Sequence, residues 1–238
     1  MDENKLSCIK EIAYSLLDIE PVANEEFPFI INHPFIANNP IVVKKDGQYK
    51  MIDIFNDKKE YQKYISDMKK NINKKKSFSE ILFLLNKPYH LVFFYSCKDI
   101  IPPMEYNDCL SHIWVCTEFA NNDKNVSKEQ ILKLFNKSDP TTIMSKEEKK
   151  IYDNLPDVVE IYRGTHYEDD SKALSWTIDF EIAKWFATRF DNDGYVLKAK
   201  IDKKDIFAFF DGRNEKEVVI NYKKLKELTI EKVMKIDI

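Results

Sequence analysis

Val158-Val159-Glu160-Ile161-Tyr162-Arg163 opens the part of the chain that decides its fold. Alternation puts Val159, Ile161 and Arg163 on one face and Val158 and Tyr162 on the other, the pattern of a half-buried strand. From Pro156 onward the same texture continues. Short apolar segments at 158–163, 173–177, 194–201, 205–210, 216–221 and 228–236 read as strands, with one helix between them at 179–189. The sequence before Pro156 reads differently. Within 5–18, Leu6, Ile9, Ile12, Ala13, Leu16 and Leu17 recur at helical spacing, and prolines at 21, 28, 34 and 40 stop that helix. Further helices are expected at 57–73, 79–86, 104–119, 127–136 and 145–154. The last two are opened by Ser127 with Gln130 and by Ser145 with Glu148, at capping-box spacing. A small hairpin is expected over 41–55 around Asp46-Gly47, a dipeptide suited to a type I′ turn. Runs of helices followed by runs of strands argue for an α+β chain rather than alternating βαβ units. The last stretch, about 84 residues, is short for a core of its own, so the helices at 104–154 are expected to pack on the strands. The domains are therefore drawn at 1–103, a helical region with a small hairpin, and at 104–238.

The bulk properties exclude several classes. With 238 residues, 44% of them hydrophobic and 13% aromatic, the chain can bury a sizeable core and is not a disordered one. No run of 18 apolar residues exists, and Met1-Asp2-Glu3-Asn4-Lys5 is not the basic lead of a secretory signal, so no membrane partner and a cytoplasmic location are expected. Cys8, Cys97, Cys109 and Cys116 do not make a disulfide framework of the small secreted kind. Cys97, Cys109, His112 and Cys116 form a metal-like cluster, but the close pairing that zinc sites use is missing. They read as thiols packed among Leu110, Ile113 and Trp114, and no metal is expected.

The formal net charge of −3 hides an asymmetry. Residues 1–43 hold seven acids against Lys5 and Lys10, whereas residues 44–76 hold eleven lysines against five acids, with Tyr49, Tyr61 and Tyr64 among them. A basic stripe interleaved with aromatics can follow a phosphate backbone and stack bases. It can equally be a solvated helix face, since Lys59, Lys63 and Lys70 recur at near-helical spacing.

Four groups in the last third carry chemistry. Arg163 ends an otherwise apolar strand face, where a guanidinium is costly unless an anion or a carboxylate meets it, and its fork suits phosphate oxygens. A salt bridge to a nearby acid is the plainer alternative. Ser175 and Thr177 project together, with Leu174 and Trp176 opposite; alone, such a strand is ordinary. Asp179 is placed to cap the next helix, whose Ala183, Phe186, Ala187 and Phe190 share a face that is normally core. Glu215, Glu217 and Val219 share another strand face, so the two carboxylates are expected about 6.6–6.8 Å apart along it. By itself that pair reads as a solvent-facing strand end.

Taken in order, Tyr162-Arg163-Gly164, Ser175-Trp176-Thr177, Trp185-Phe186-Ala187 and Glu215-Lys216-Glu217 resemble the signature of NAD-dependent mono-ADP-ribosyltransferases of the arginine, serine, Glu-x-Glu class, the toxin-like kind of bacteria and phages. The resemblance covers roughly residues 155–225, and the 42-residue interval from Ser175 to Glu217 is similar to that of toxin members. Ser175 follows Arg163 by only twelve residues, which leaves no room for a helix that many relatives carry there. The family fold implies two packed small β-sheets with flanking helices, here preceded by a mainly helical region. The resemblance implies that Arg163 holds the NAD phosphates and ribose, and that the backbone of Gly164 holds the nicotinamide amide. It further implies that Ser175 orients the catalytic glutamate, Thr177 buttresses the pocket, and Phe186, or Trp185 in its stead, stacks on nicotinamide. Glu217 would bind the ribose and stabilise its developing positive charge, while Glu215 would orient or deprotonate the acceptor. His166 does not move the chain to the histidine, tyrosine, glutamate branch, which has histidine where Arg163 stands; it reads as a loop residue near the pocket.

The implied activity splits NAD, a co-substrate, without a metal. ADP-ribose then passes to a macromolecule, protein arginine first because Glu215 is a glutamate, with RNA on the basic stripe as the alternative. Such relatives act as toxins or effectors, including in toxin–antitoxin and phage-defence systems, so an antitoxin or inhibitor protein is an implied partner. NAD glycohydrolysis and an inactive binding module are the remaining alternatives.

Overall fold

The computed structural model of the chain describes residues 2–27, 30–45, 47–117, 123–190 and 193–234. It divides into two compact units, Met1–Tyr106 and Asn107–Ile238.

The first unit begins with α1, Glu3–Leu17, whose Asp2 cap accepts from the Asn4 amide and whose Ile9, Ala13 and Leu17 are buried at successive turns. After the short strands β1, Val22–Ala23, and β2, Ile31–Asn32, comes the hairpin of β3, Ile41–Lys45, and β4, Gln48–Ile52. Its register closes at Lys45↔Gln48, and Gly47 takes the left-handed φ of +80° that the tight turn demands. Asp46, the other half of the expected turn, lies outside the described residues, as does Pro28. The helices α2, Lys58–Asn73, α3, Phe78–Leu82, and α4, Lys87–Cys97, complete this unit. Phe78 stacks on Phe93 at 5.3 Å and meets Phe94 edge-on at 5.7 Å, all three rings fully buried. Each such side chain contributes roughly 1.5–3 kcal/mol on leaving water. The pattern reading finds no helix over 87–97. Tyr89, His90, Leu91, Phe93, Phe94 and Cys97 are buried on nearly every side of α4, so it carries no amphipathic period to read.

The second unit takes up α5, Pro103–Cys116, from Asn107 onward, then α6, Lys128–Lys137, and α7, Lys146–Asp153. Both expected capping boxes are formed, Ser127 with Gln130 and Ser145 with Glu148. The part of the expected 104–119 helix beyond 117 lies outside the described residues. Next are β5, Val158–Thr165, β6, Ser175–Thr177, α8, Phe180–Thr188, β7, Gly194–Asp202, β8, Ile206–Phe210, β9, Glu217–Ile220, and β10, Lys226–Val233. The strands run antiparallel in the order β10-β7-β5-β6-β9-β8.

The family resemblance implies two packed small sheets, and the structure differs. The strands form one six-stranded ladder, but β5 pairs with β7 along its whole length and with β6 at a single position, Tyr162↔Thr177. That lone pair joins two three-stranded halves. Beyond it, from Arg163 to Thr165, the β6-facing edge of β5 has no strand partner among the described residues. Polar backbone there faces an opening rather than a neighbour.

Helix α8 closes one side of that opening. A Cβ on Gly164 would stand 1.8 Å from the Ala183 carbonyl oxygen, and one on Gly194 would stand 2.1 Å from that of Ala187. Glycine at both positions lets the helix backbone rest directly on β5 and β7. Ala183 and Ala187 are fully buried in that contact.

Candidate active site

The opening between the halves is a cavity of about 620 Å³ whose wall includes Arg163, Gly164, Ser175, Thr177, Phe186, Glu215 and Glu217. These seven are the catalytic and cofactor-binding candidates named from the sequence, and they reach one space; Trp185, the alternative to Phe186, is 58% exposed and does not line it. The volume falls within the roughly 300–1,000 Å³ of small-molecule sites.

Arg163 is fixed from three sides. Its Nε and Nη2 donate to Asp170 Oδ2 at 3.0 and 2.5 Å, and its Nη1 donates to the Ser175 carbonyl at 2.8 Å. The carboxylate partner that the sequence leaves as an alternative is therefore present, yet it sits in the cavity wall beside the arginine. Three of the five N–H groups are used among the described residues, and two remain for an anion. Lys128 Nζ, 3.5 Å from Asp170 Oδ1, adds positive charge behind the pair.

On β6 the side chains divide as alternation requires. Trp176 is buried, its indole donating to the Ala173 carbonyl at 2.9 Å, while Ser175 and Thr177 turn to the cavity. Thr177 Oγ1 donates to the Glu215 carbonyl at 2.8 Å and accepts from the Asp179 amide at 3.1 Å, tying the Glu215 backbone to β6. Ser175 hydrogen-bonds the Glu217 carboxylate.

The two glutamates do not share a strand face. Lys216 has a left-handed φ of 44°, β9 begins only at Glu217, and Glu215 belongs to the preceding turn. That backbone is unusual for a lysine and is held from outside. Its amide donates to Asp211 Oδ1 at 2.9 Å, its carbonyl accepts from Ile178, and its Nζ pairs with Asp179 at 2.7 Å. What brings the carboxylates together is Arg213, whose Nη2 lies 2.8 Å from Glu215 Oε2 and 3.6 Å from Glu217 Oε2.

Glu217 is 4% exposed. Burial pushes its carboxyl above the usual carboxylate range, against the Ser175 and Trp114 hydrogen bonds and the Arg213 charge, which favour the anion. Trp114 Nε1 donates to Glu217 Oε1 at 2.9 Å. A buried carboxylate with fixed donors and an open side toward a cavity can stabilise positive charge that develops within it.

The shelf of α8 departs from the expected stripe. Ala183 and Ala187 are core, but Phe186 lines the cavity and Phe190 is 58% exposed at its rim. Arg189 lies over both rings, at 4.9 and 4.7 Å. His166 also lines the wall, and its Nε2 is buried without a hydrogen-bond partner among the described residues.

Sequence reasoning misses Trp114, Asp170, Arg189 and Arg213. One signal could have found the arginines. The chain has 37 basic residues, only Arg163, Arg189 and Arg213 among them are arginines, and all three line this cavity. A chain that uses lysine elsewhere has placed its planar, forked cations where bidentate binding matters. Of the cysteine cluster, Cys97 and Cys109 are buried, and no group of three or more metal-ligating side chains occurs among the described residues.

The chain matches no family model, no curated protein and no solved structure. The chemistry of the site rests on its geometry.

Proposed function

We propose that the chain is a mono-ADP-ribosyltransferase that cleaves NAD at the nicotinamide–ribose bond and passes ADP-ribose to protein arginine. The observation that carries this reading is the convergence of Arg163, Ser175, Thr177, Phe186, Glu215 and Glu217 on one cavity at the junction of the two half-sheets. Arg163, held open by Asp170, offers its two remaining N–H groups to the diphosphate. The strand-free edge at Gly164 offers backbone groups to the nicotinamide amide, and Phe186 a ring face to the pyridinium.

In the reaction the bond between ribose C1′ and the nicotinamide nitrogen breaks, and nicotinamide leaves with the electron pair. Positive charge grows on the ribose, as in glycoside hydrolysis, and Glu217 stands beside it as a carboxylate aligned by Ser175 and Trp114. The acceptor nitrogen bonds to C1′ and gives its proton to Glu215, the more exposed of the two carboxylates.

RNA is the second reading. Lys58, Lys59 and Lys63 are exposed on α2 and have no ion pair among the described residues. Lys50, Lys69, Lys70 and Lys75, however, pair with Glu60, Asp18, Asp67 and Glu80, so acids meet four of the eleven lysines of the stripe. That balance favours protein as acceptor. Incubating the chain with adenylate-labelled NAD and cell lysate, then treating with protease or nuclease, decides between them. Label released by protease supports protein, label released by nuclease selects RNA, and free ADP-ribose alone leaves a glycohydrolase. Unchanged NAD refutes the reading.

A further inference from the structure

The last turn of α5 reaches the cavity carboxylates by two routes. The Trp114 indole Nε1 donates to Glu217 Oε1 at 2.9 Å, and the carbonyl of the next residue, Val115, accepts from Arg213 Nη1 at 3.1 Å. Arg213 in turn holds Glu215, whose Oε2 lies 2.8 Å from Nη2. Trp114 is itself fixed: it is 3% exposed, and its ring meets the buried Phe135 edge-on at 5.0 Å. An indole N–H and a guanidinium only donate, whereas a hydroxyl both donates and accepts. Oε1 of Glu217 is therefore taken by Trp114, and Oε2, 3.6 Å from Arg213 Nη2, is the oxygen that the indole leaves free. A proton on Oε1 would point at the indole N–H, and among these neighbours only the Ser175 hydroxyl can accept one. The charged groups acting on Glu217 are Arg213 and Glu215 from the turn before β9; Arg163, Asp170, Arg189 and His166 stand elsewhere on the cavity wall.

We propose that Trp114 is a positioning residue of this site, whose indole N–H holds Oε1 so that Glu217 meets its substrate as an anion with Oε2 foremost. The kinetic consequence rests on the transferase reading above, whereas the hold on the carboxylate is a property of the free protein. Packing alone does not need the nitrogen, since Phe135 offers the indole only an apolar ring. With the N–H removed, Oε1 loses a donor while its burial is unchanged, so the neutral acid gains and the anion forms only at higher pH. A tryptophan that merely filled space would change stability and leave the titration of Glu217 where it was.

The test uses Trp114→Phe and, as a second variant, benzothienylalanine at the same position, which keeps the bicyclic shape and puts sulfur in place of the N–H. Both are compared with the wild type by NMR titration of the full chain, isotope-labelled at the glutamate carboxyl carbons. The Glu217 signal is identified by its absence from Glu217→Gln. The expected result is a Glu217 midpoint raised by about one to two pH units in both variants, the size expected of one hydrogen bond to a charged acceptor. Nicotinamide release from NAD should show its acid limb displaced upward by the same amount, with the loss of kcat shrinking as pH rises and KM moving less than kcat. A midpoint that stays in place in the benzothienylalanine variant, or a rate reduced equally at every pH, overturns the proposal and leaves Trp114 as packing. No nicotinamide release by the wild type removes the transferase reading; a raised midpoint then still upholds the hold of Trp114 on Glu217, and an unmoved one overturns it.

Discussion

Glu217 is a carboxylate that the fold buries and then surrounds with donors. Burial costs the anion, while Trp114, Ser175 and Arg213 favour it, and the net result is a proton held more tightly than by an ordinary glutamate. An acid with a higher pKa in the folded state binds more protons folded than unfolded, so its contribution to stability is largest below the unfolded value. It is lost as pH rises through the folded one. Glu217→Gln keeps an oxygen for Trp114 and removes the buried charge. Denaturant unfolding of the two proteins should therefore match near pH 4, with the variant gaining on the wild type as pH rises toward about 7. A variant that loses stability over that window would show that the anion is the preferred folded form. At this scale the sequence was informative about what each strand supplies and silent about what completes it. Arg163, Ser175, Thr177 and Glu217 follow from the family resemblance carried by the order of their motifs. Asp170, Trp114 and Arg213 arrive through a loop, a helix and a turn, and no local period announces them.

At the scale of elements, the packing of α8 is the feature with least tolerance. Gly164 and Gly194 allow helix and strands to meet backbone to backbone, and a methyl at Gly164 has a carbonyl oxygen 1.8 Å away. Gly164→Ala must shift the helix, at a cost of about 3 kcal/mol or more, the upper range for overpacking. A melting temperature unchanged by that substitution would show that α8 is free to move. Elements with a clear period or cap were legible: α1, α2, α6, α7, α8 and most strands lie within a few residues of expectation. Elements without one were not. Helix α4 is apolar nearly all round, and the left-handed Lys216 delays the start of β9 to Glu217, which takes Glu215 off the expected face, because external hydrogen bonds override the alternation.

At the scale of the whole second unit, the six-stranded order was beyond reach of a pattern reading, since register and order come from pairings far apart in sequence. The single Tyr162↔Thr177 link is what turns a sheet into two half-sheets with a cavity at their junction. The two glutamates stand at that junction with unequal exposure, 26% and 6%, and the proposed reaction gives them different work. Glu215→Gln should leave NAD hydrolysis within a few-fold of wild type and abolish transfer to arginine, as measured by nicotinamide release beside labelled acceptor. Equal loss of both would merge their roles. The central claim is that Glu217 stabilises positive charge on a ribose bound in this cavity. Its most direct test is nicotinamide release from NAD by purified wild-type chain and by Glu217→Gln. The account predicts release by the wild type and a loss of at least about 3 kcal/mol of barrier lowering, some hundredfold or more in kcat, in the variant. No release by the wild type, or equal release by both proteins, would contradict it.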